Sequence, residues 1–199
     1  MSVERAAAER TKRPYGRSRR DLAEAAIREI ERRGFAATTV EDIAAAAGYS
    51  PRTFFRQFSS KEDVVFFDLP DILSRLEALL DAPPKSAWRA VSAILMDNCE
   101  RWESEGQELA QHRTALIHRE PALYVRFLEV CQEWEEVIAR IFAAERRQDP
   151  ATDLPSRVLA GSVVAACRVA LRVWVAEPTV SLAGHMRAGL DVIEPRRRR

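Results

Sequence analysis

The chain has 199 residues, of which 47% are hydrophobic and 31% charged, and its formal net charge is +1. This length allows one or two domains with a sizeable core, and the composition is that of a soluble globular protein. The three cysteines, Cys99, Cys131 and Cys167, are odd in number and share no metal-ligand spacing with the histidines, so neither a disulfide scaffold nor a metal site is expected.

Targeting signals are not evident in the sequence. No apolar run approaches the roughly 18 residues of a membrane span, and no apolar stretch follows the basic N-terminus as it would in a secretory signal. We therefore expect a cytoplasmic protein with reduced cysteines and no membrane partner. A redox switch at the cysteines is an open alternative.

The small net charge hides a segregation along the chain. Residues 1–60 carry twelve Lys and Arg against eight Asp and Glu, and residues 196–199 are four arginines. We expect residues 1–16 to form a mobile basic arm, which either lies along DNA or makes no contact with it. Residues 196–199 are expected to be a basic tail, for which simple solvation is the plainest interpretation.

A first helix is predicted over residues 18–34. Leu22, Ala26 and Ile30 form its apolar stripe, and Gly34 ends it. A second helix begins at Thr39, a good N-cap with Asp42 three residues later. We expect the first helix to support the two shorter helices that follow it.

Residues 39–58 contain two short helical patterns joined by a tight turn. Gly48 stands where a residue with positive φ would end the first of them, and Ser50 then caps the next helix, with Pro51 at its first position. The outer surface of this helix is predicted to be polar and basic: Arg52, Thr53, Arg56 and Gln57. Such an arrangement is typical of a helix-turn-helix, whose second helix enters the major groove of DNA.

From about residue 17 to residue 65, the chain resembles the DNA-binding segment of the TetR family of bacterial transcriptional regulators. The matching residues are Gly34-Phe35, Thr38-Thr39-Val40, Ile43-Ala44, Ala47-Gly48-Tyr49-Ser50, Thr53-Phe54-Phe55, Phe58 and Ser60-Lys61-Glu62. Two positions depart from the family pattern. Phe55 replaces a tyrosine that touches a phosphate, and Gln57 stands where tyrosine or histidine is common.

The resemblance implies an all-α fold of nine or so helices. A helix-turn-helix head (17–62) is expected to precede a larger helical domain for ligand binding and dimerisation (63–195). The fourth helix begins at Ser60 and meets Pro70, which must kink or break it. In the family this helix links the two domains, so Pro70 either transmits a change between them or is a passive bend.

Candidates for DNA contacts surround the second helix of the motif. Arg52 and Thr53 are expected at base edges, because arginine can donate two hydrogen bonds to guanine and the threonine methyl suits thymine. Arg56 is a candidate for either a base or a phosphate, and Lys61 for a phosphate at a helix N-terminus. The predicted DNA-binding positions are Thr39, Ser50, Pro51, Arg52, Thr53, Phe55, Arg56, Gln57 and Lys61. Taken singly, each is more often a cap or a solvated charge.

Helical periodicity continues to the end of the chain. The predicted helices five to nine cover about 86–104, 109–119, 121–147, 155–176 and 181–193. Predicted helix eight is apolar nearly all round, which indicates burial on two faces. We expect a homodimer through helices eight and nine, with Leu171 and Trp174 at its interface.

A ligand site is expected between predicted helices five, seven and eight. Its candidate residues are Trp88, Met96, Trp102, His112, Phe127, Cys131 and Trp134, although an aromatic stripe is more often plain core. His112, Arg113 and His118 are candidates for contact with a polar head group. Residues 50–65 and 113–123 most resemble the branch of the family that takes acyl-CoA-like ligands, including the mycofactocin-associated regulators.

These observations predict a sequence-specific DNA-binding transcriptional regulator without a cofactor. The family likeness implies a repressor that a small molecule, such as an acyl-CoA, releases from a palindromic operator. Two alternatives stay open: a DNA-binding regulator without an effector, and a helical enzyme. The enzyme alternative has little support, because no Gly-rich phosphate loop, metal-ligand spacing or Ser-His-Asp grouping is found.

Overall fold

A computed structural model describes residues 15–177 and 179–195. Within these ranges the chain forms nine helices and no strand, which confirms the all-α prediction. The helices are α1 (Tyr15–Arg33), α2 (Val40–Ala47), α3 (Pro51–Phe55), α4 (Lys61–Val65), α5 (Leu69–Asp81), α6 (Ala87–Arg119), α7 (Pro121–Arg146), α8 (Leu154–Ala176) and α9 (Leu182–Ile193). The predicted tail lies outside the described residues. So does the predicted arm, except for residues 15 and 16, which begin α1.

The chain divides into two compact units, Met1–Phe67 and Asp68–Arg199. The first unit contains α1 to α4, and the second contains α5 to α9. Because α4 belongs to the first unit, that unit extends beyond the predicted boundary at residue 62.

The core of the first unit is built on α1. Leu22, Ile27 and Ile30 are completely or almost completely buried, as are Ile43 of α2 and Phe54 of α3, and α2 packs against both α1 and α3. Helices as short as α2 (8 residues) and α3 (5 residues) are unstable alone in water, so this packing holds them in place.

Local signals determine the ends of α2 and α3, as predicted. The Thr39 hydroxyl accepts the Asp42 backbone N–H at 3.1 Å, while the Asp42 carboxylate accepts the Thr39 backbone N–H at 3.1 Å. Gly48 ends α2 with φ 75°, a conformation that costs other L-residues about 1–2 kcal/mol. Ser50 caps α3, and Pro51 occupies its first position.

The predicted fourth helix does not run continuously to Pro70. α4 ends at Val65 and α5 begins at Leu69, so the helix is broken rather than kinked. Pro70 lies in the first turn of α5, where a missing N–H leaves no helical hydrogen bond unmade.

The second unit is a helical bundle in which α8 packs against α7 and α9. The long helix α6 is interrupted at Gly106, which has φ 151° and ψ 68°. This interruption falls between predicted helices five and six, and it is accessible to glycine because glycine has no Cβ.

One side of α8 is buried and the other carries exposed aliphatic side chains. Leu154 and Val158 are 68% and 58% exposed, whereas Trp174 is completely buried within one chain. Trp174 is therefore a core residue, and its prediction as an interface residue is wrong. By length and composition α8 could span a membrane, contrary to the sequence-based expectation, although packing on α7 and α9 accounts equally well for its apolar character.

Candidate nucleic-acid interface and effector region

The outer face of α3 is basic and open to solvent. Arg52 and Arg56 are both exposed, and neither forms an ion pair with another described residue. Phe55, between them in sequence, is 57% exposed, an unusual placement for so large an apolar side chain. This face therefore offers two solvated guanidinium groups and an aromatic ring to a partner.

The hydroxyl groups at the ends of the helices already serve as caps. Ser50 Oγ accepts the Thr53 backbone N–H at 3.2 Å and lies 3.1 Å from Thr53 Oγ1. Thr39 Oγ1 donates to Asp42 Oδ2 at 2.7 Å, and this hydrogen bond is the main reason that the pKa of Asp42 is lowered. Both caps are at the surface, so their first effect is to position α2 and α3.

Gln57 does not lie on the outer surface, contrary to prediction. Its side chain is buried, and Nε2 donates to Ser18 Oγ of α1 at 2.6 Å. Two residues beyond the end of α3, the chain has turned so that position 57 faces α1. Gln57 therefore joins the recognition element to its support, and a phosphate contact from its amide is not favoured.

Lys61 also has a different environment from the predicted one. Its ammonium donates to the carbonyl oxygens of Phe35 and Thr38, at 2.7 and 3.1 Å, and lies 4.2 Å from the centre of the Phe35 ring. These contacts fasten the loop between α1 and α2 to the start of α4. The charge of Lys61 is thus engaged within the unit rather than directed towards a phosphate.

The second unit contains a buried ion pair that the sequence did not indicate. Arg113 donates to Asp68 Oδ1 at 2.7 Å, and the two side chains are 5% and 10% exposed. Trp102 Nε1 donates to the other carboxylate oxygen at 2.5 Å, and the Arg113 guanidinium lies 4.0 Å from the centre of the Trp102 ring. The cluster therefore joins the start of α5 to both segments of α6, on either side of Gly106. In the sequence, the only sign of this cluster is Asp68, which stands between two apolar residues and is followed by a proline two positions later.

The predicted ligand residues lie in several environments rather than one. Trp88 stacks on Phe142 with the ring centres 6.5 Å apart, and Trp102 belongs to the Asp68 cluster. The ring centres of Phe127 and His118 are 6.0 Å apart. The remaining candidates differ in exposure. Cys131 is buried, Met96 and Trp134 are half-buried, and His112 is exposed.

Two clefts are found at one end of the bundle. One, of about 620 Å³, is lined mainly by apolar residues of α8, including Leu154, Val158 and Leu159. The adjoining one, of about 240 Å³, has Trp88 in its wall, together with Arg89. Of the seven predicted ligand residues, Trp88 alone lines either of these two clefts.

The cysteines are buried thiols. Burial raises the pKa of Cys131 to about 11 and that of Cys167 to about 12, and it also raises the pKa of Cys99. They are therefore protonated at neutral pH and poor nucleophiles. Within the described residues, no cluster of three His, Cys, Asp or Glu side chains could hold a metal ion.

Comparison with known proteins identifies both units. The profile described as "Bacterial regulatory proteins, tetR family" matches residues 22–66, and that of the "MftR C-terminal domain" matches residues 85–198. The regulator TcmR of Streptomyces glaucescens is 34% identical over 173 residues, which cover 81% of this chain and 75% of TcmR. MftR of Mycobacterium tuberculosis, named for mycofactocin biosynthesis, is 30% identical over 179 residues, covering 86% of this chain and 87% of its own.

Solved structures show the same fold. The complex of SmeT, a repressor from Stenotrophomonas maltophilia, with triclosan has a TM-score of 0.67 and 18% identity, covering 88% of this chain and 89% of SmeT. FadR of Thermus thermophilus, in complex with lauroyl-CoA, has a TM-score of 0.55 and 22% identity, covering 88% and 92%. Given the helix-turn-helix geometry, the two profile matches and the identity with TcmR and MftR, this chain belongs to the TetR family of bacterial transcriptional regulators, with a C-terminal domain of the MftR type.

Proposed function

We propose that the protein is a homodimeric repressor that binds a palindromic operator and is released from it by a small amphipathic molecule. The observation that carries the DNA-binding part is the pair of exposed arginines, Arg52 and Arg56, on a correctly capped α3. Neither has an ion pair among the described residues, so binding DNA requires no internal contact to be broken. Arg52 is assigned to a base edge, with Thr53 beside it, and Arg56 to a base or a phosphate. Phe55 lacks a hydroxyl and is assigned an apolar contact.

The test of this assignment is operator binding by single arginine variants. Binding to DNA from the region upstream of the gene is measured by fluorescence anisotropy at several salt concentrations. Arg52→Ala should weaken binding by about 1–3 kcal/mol and relax specificity at one position in each half-site. The matched control is Arg28→Ala, since Arg28 is also exposed but lies on α1. Equal affinities of the wild type and both variants would sink the assignment.

The dimeric state is supported by the exposed face of α8 and by family membership. Leu154, Val158, Val169 and Val173 are all at least one-third exposed on this helix, and Val192 of α9 is 84% exposed. Aliphatic side chains in such numbers favour burial against a second copy. A symmetric pair would present two recognition helices to successive major grooves, roughly 34–36 Å apart.

An effector is supported by the size of the second unit and by what similar proteins bind. SmeT has been solved with triclosan and FadR with lauroyl-CoA, and both ligands are largely apolar. An acyl-CoA is therefore a suitable first candidate. A ligand lowers operator affinity only by binding better to a conformation that is unable to hold both half-sites.

Two further parts of the proposal concern catalytic activity and location. We assign it no catalytic activity, since its relatives are named as transcriptional regulators, and we place it in the cytoplasm, where its operator would be. A regulator without an effector is the competing function. It predicts the same DNA binding, but no change in operator affinity with any ligand.

A further inference from the structure

Arg168 of α8 is half-buried and has no carboxylate partner among the described residues. Its NH2 group donates to the Tyr124 hydroxyl at 3.4 Å, and it forms no ion pair with any described residue. By contrast, Arg113 and Arg157 in the same unit each have a carboxylate at 2.7 Å. Within the described residues, a half-buried guanidinium whose one hydrogen bond is a long one to a neutral hydroxyl has donors left for an anionic partner.

The position of Arg168 points to a site between α7 and α8. Its partner Tyr124 lies on α7. Cys131 lies two turns further along α7, and the positive charge of Arg168 lowers the pKa of its thiol, against the larger effect of burial. The exposed valines of α8, Val169 and Val173, lie about 100° and about 140° away from Arg168 around the helix axis. The contact with Tyr124 thus directs the Arg168 side chain towards α7.

Tyr124 belongs to a cluster of three aromatic rings. The ring centres of His118 and Tyr124 are 5.9 Å apart, those of His118 and Phe127 are 6.0 Å apart, and those of Tyr124 and Phe127 are 6.3 Å apart. His118 Nδ1 lies 2.8 Å from the Thr114 carbonyl oxygen, which can only accept, so in the neutral ring Nδ1 carries the proton. Arg168 is thus hydrogen-bonded to the hydroxyl of a tyrosine that belongs to this aromatic cluster.

We propose that Arg168 binds the anionic head group of the effector, with the Tyr124 hydroxyl as a second donor. The apolar part of the same molecule lies against His118 and Phe127. This inference rests on the proposed function, because it assigns a chemical class to the effector: an amphiphile with an anionic head group, for which a fatty carboxylate is the simplest probe. The planar guanidinium fork matches a carboxylate with two parallel hydrogen bonds, a geometry that a neutral alcohol does not offer.

The test uses two probes of equal chain length, decanoate and 1-decanol, with affinities measured by calorimetry at pH 7.5, where the carboxylate is ionised. The wild type should bind decanoate at least ten-fold more tightly than 1-decanol. Arg168→Met should bring the two affinities to within about two-fold, while 1-decanol binding is retained as evidence that the variant is folded. The matched control is Arg172→Met, which removes an exposed arginine one turn further along α8 and should keep the ten-fold preference.

Three results would overturn the inference. The first is that the wild type fails to bind decanoate or binds both probes equally. The second is that Arg168→Met keeps the preference of the wild type. The third is that Arg168→Met converts a dimer into a monomer in light scattering, because the missing carboxylate would then belong to a second copy. In each case, release of operator DNA by 1-decanol or another neutral ligand would leave the proposed function standing.

Discussion

Arg52 and Arg56 of the first unit and Arg113 of the second are placed in opposite environments. In the first, Arg52 and Arg56 lie in solvent, where water compensates their charge and no internal partner is needed. In the second, Arg113 is 5% exposed and depends on the Asp68 carboxylate 2.7 Å away. A solvated cation is available to a phosphate or a base, whereas a buried one is committed to the fold. The comparison separates the charges that bind partners from the charges that hold the bundle together.

The largest effect is expected from breaking the buried pair. Arg113→Met leaves the Asp68 carboxylate buried without its cation, and the second unit should lose about 3–5 kcal/mol of stability against urea. Arg75→Met is the control, because Arg75 pairs with Asp97 at 2.6 Å while both side chains are at least 40% exposed. That change should cost less than about 1 kcal/mol. Similar losses in both variants would show that burial does not distinguish the two pairs.

A charge on the outer face of α8 should have the next largest effect. Val169→Glu places a carboxylate where the second copy is proposed to pack, at a cost on the order of 3 kcal/mol. The variant should be monomeric at micromolar concentration in light scattering and should lose operator binding. Val125→Glu is the control, since Val125 is 57% exposed on α7. A dimeric Val169→Glu protein would argue against this face.

A smaller effect is expected from Lys61, which resembles the second unit in having its charge engaged internally. Lys61→Met removes hydrogen bonds to two carbonyl oxygens and should destabilise the first unit by about 1.5–3 kcal/mol. The salt dependence of DNA binding should stay unchanged. If stability were kept instead, and the slope of log affinity against log salt concentration fell by about one, the predicted phosphate contact of Lys61 would be supported.

Features that neighbouring residues specify could be predicted from the sequence, whereas those that depend on distant residues could not. Thr39 and Asp42 are three residues apart, so a capping box can be recognised locally, and the structure contains it. Gly48 and Pro51 are equally local signals. Asp68 and Arg113 are 45 residues apart, and nothing in either neighbourhood specifies the other. Gln57 was misplaced for a related reason: its environment depends on Ser18, which is 39 residues away.

The effector region was harder to predict because its residues have no local signature. The apolar periodicity of α6 and α7 is the same whether an aromatic side chain fills the core or lines a binding site. Trp88, Trp102 and Phe127 shared such a pattern, but the structure separates them. Tyr124 and Arg168 form a hydrogen bond across 44 residues, and only the packing of α7 on α8 places them together.

The measurement that tests the account most directly is operator affinity with and without lauroyl-CoA, at one salt concentration. Calorimetry in the same buffer first establishes that the ligand binds. Saturating lauroyl-CoA should weaken operator binding about 5- to 150-fold, which corresponds to a coupling free energy of about 1–3 kcal/mol. Binding of both lauroyl-CoA and decanoate without any change in operator affinity would contradict release of the operator by an amphipathic effector.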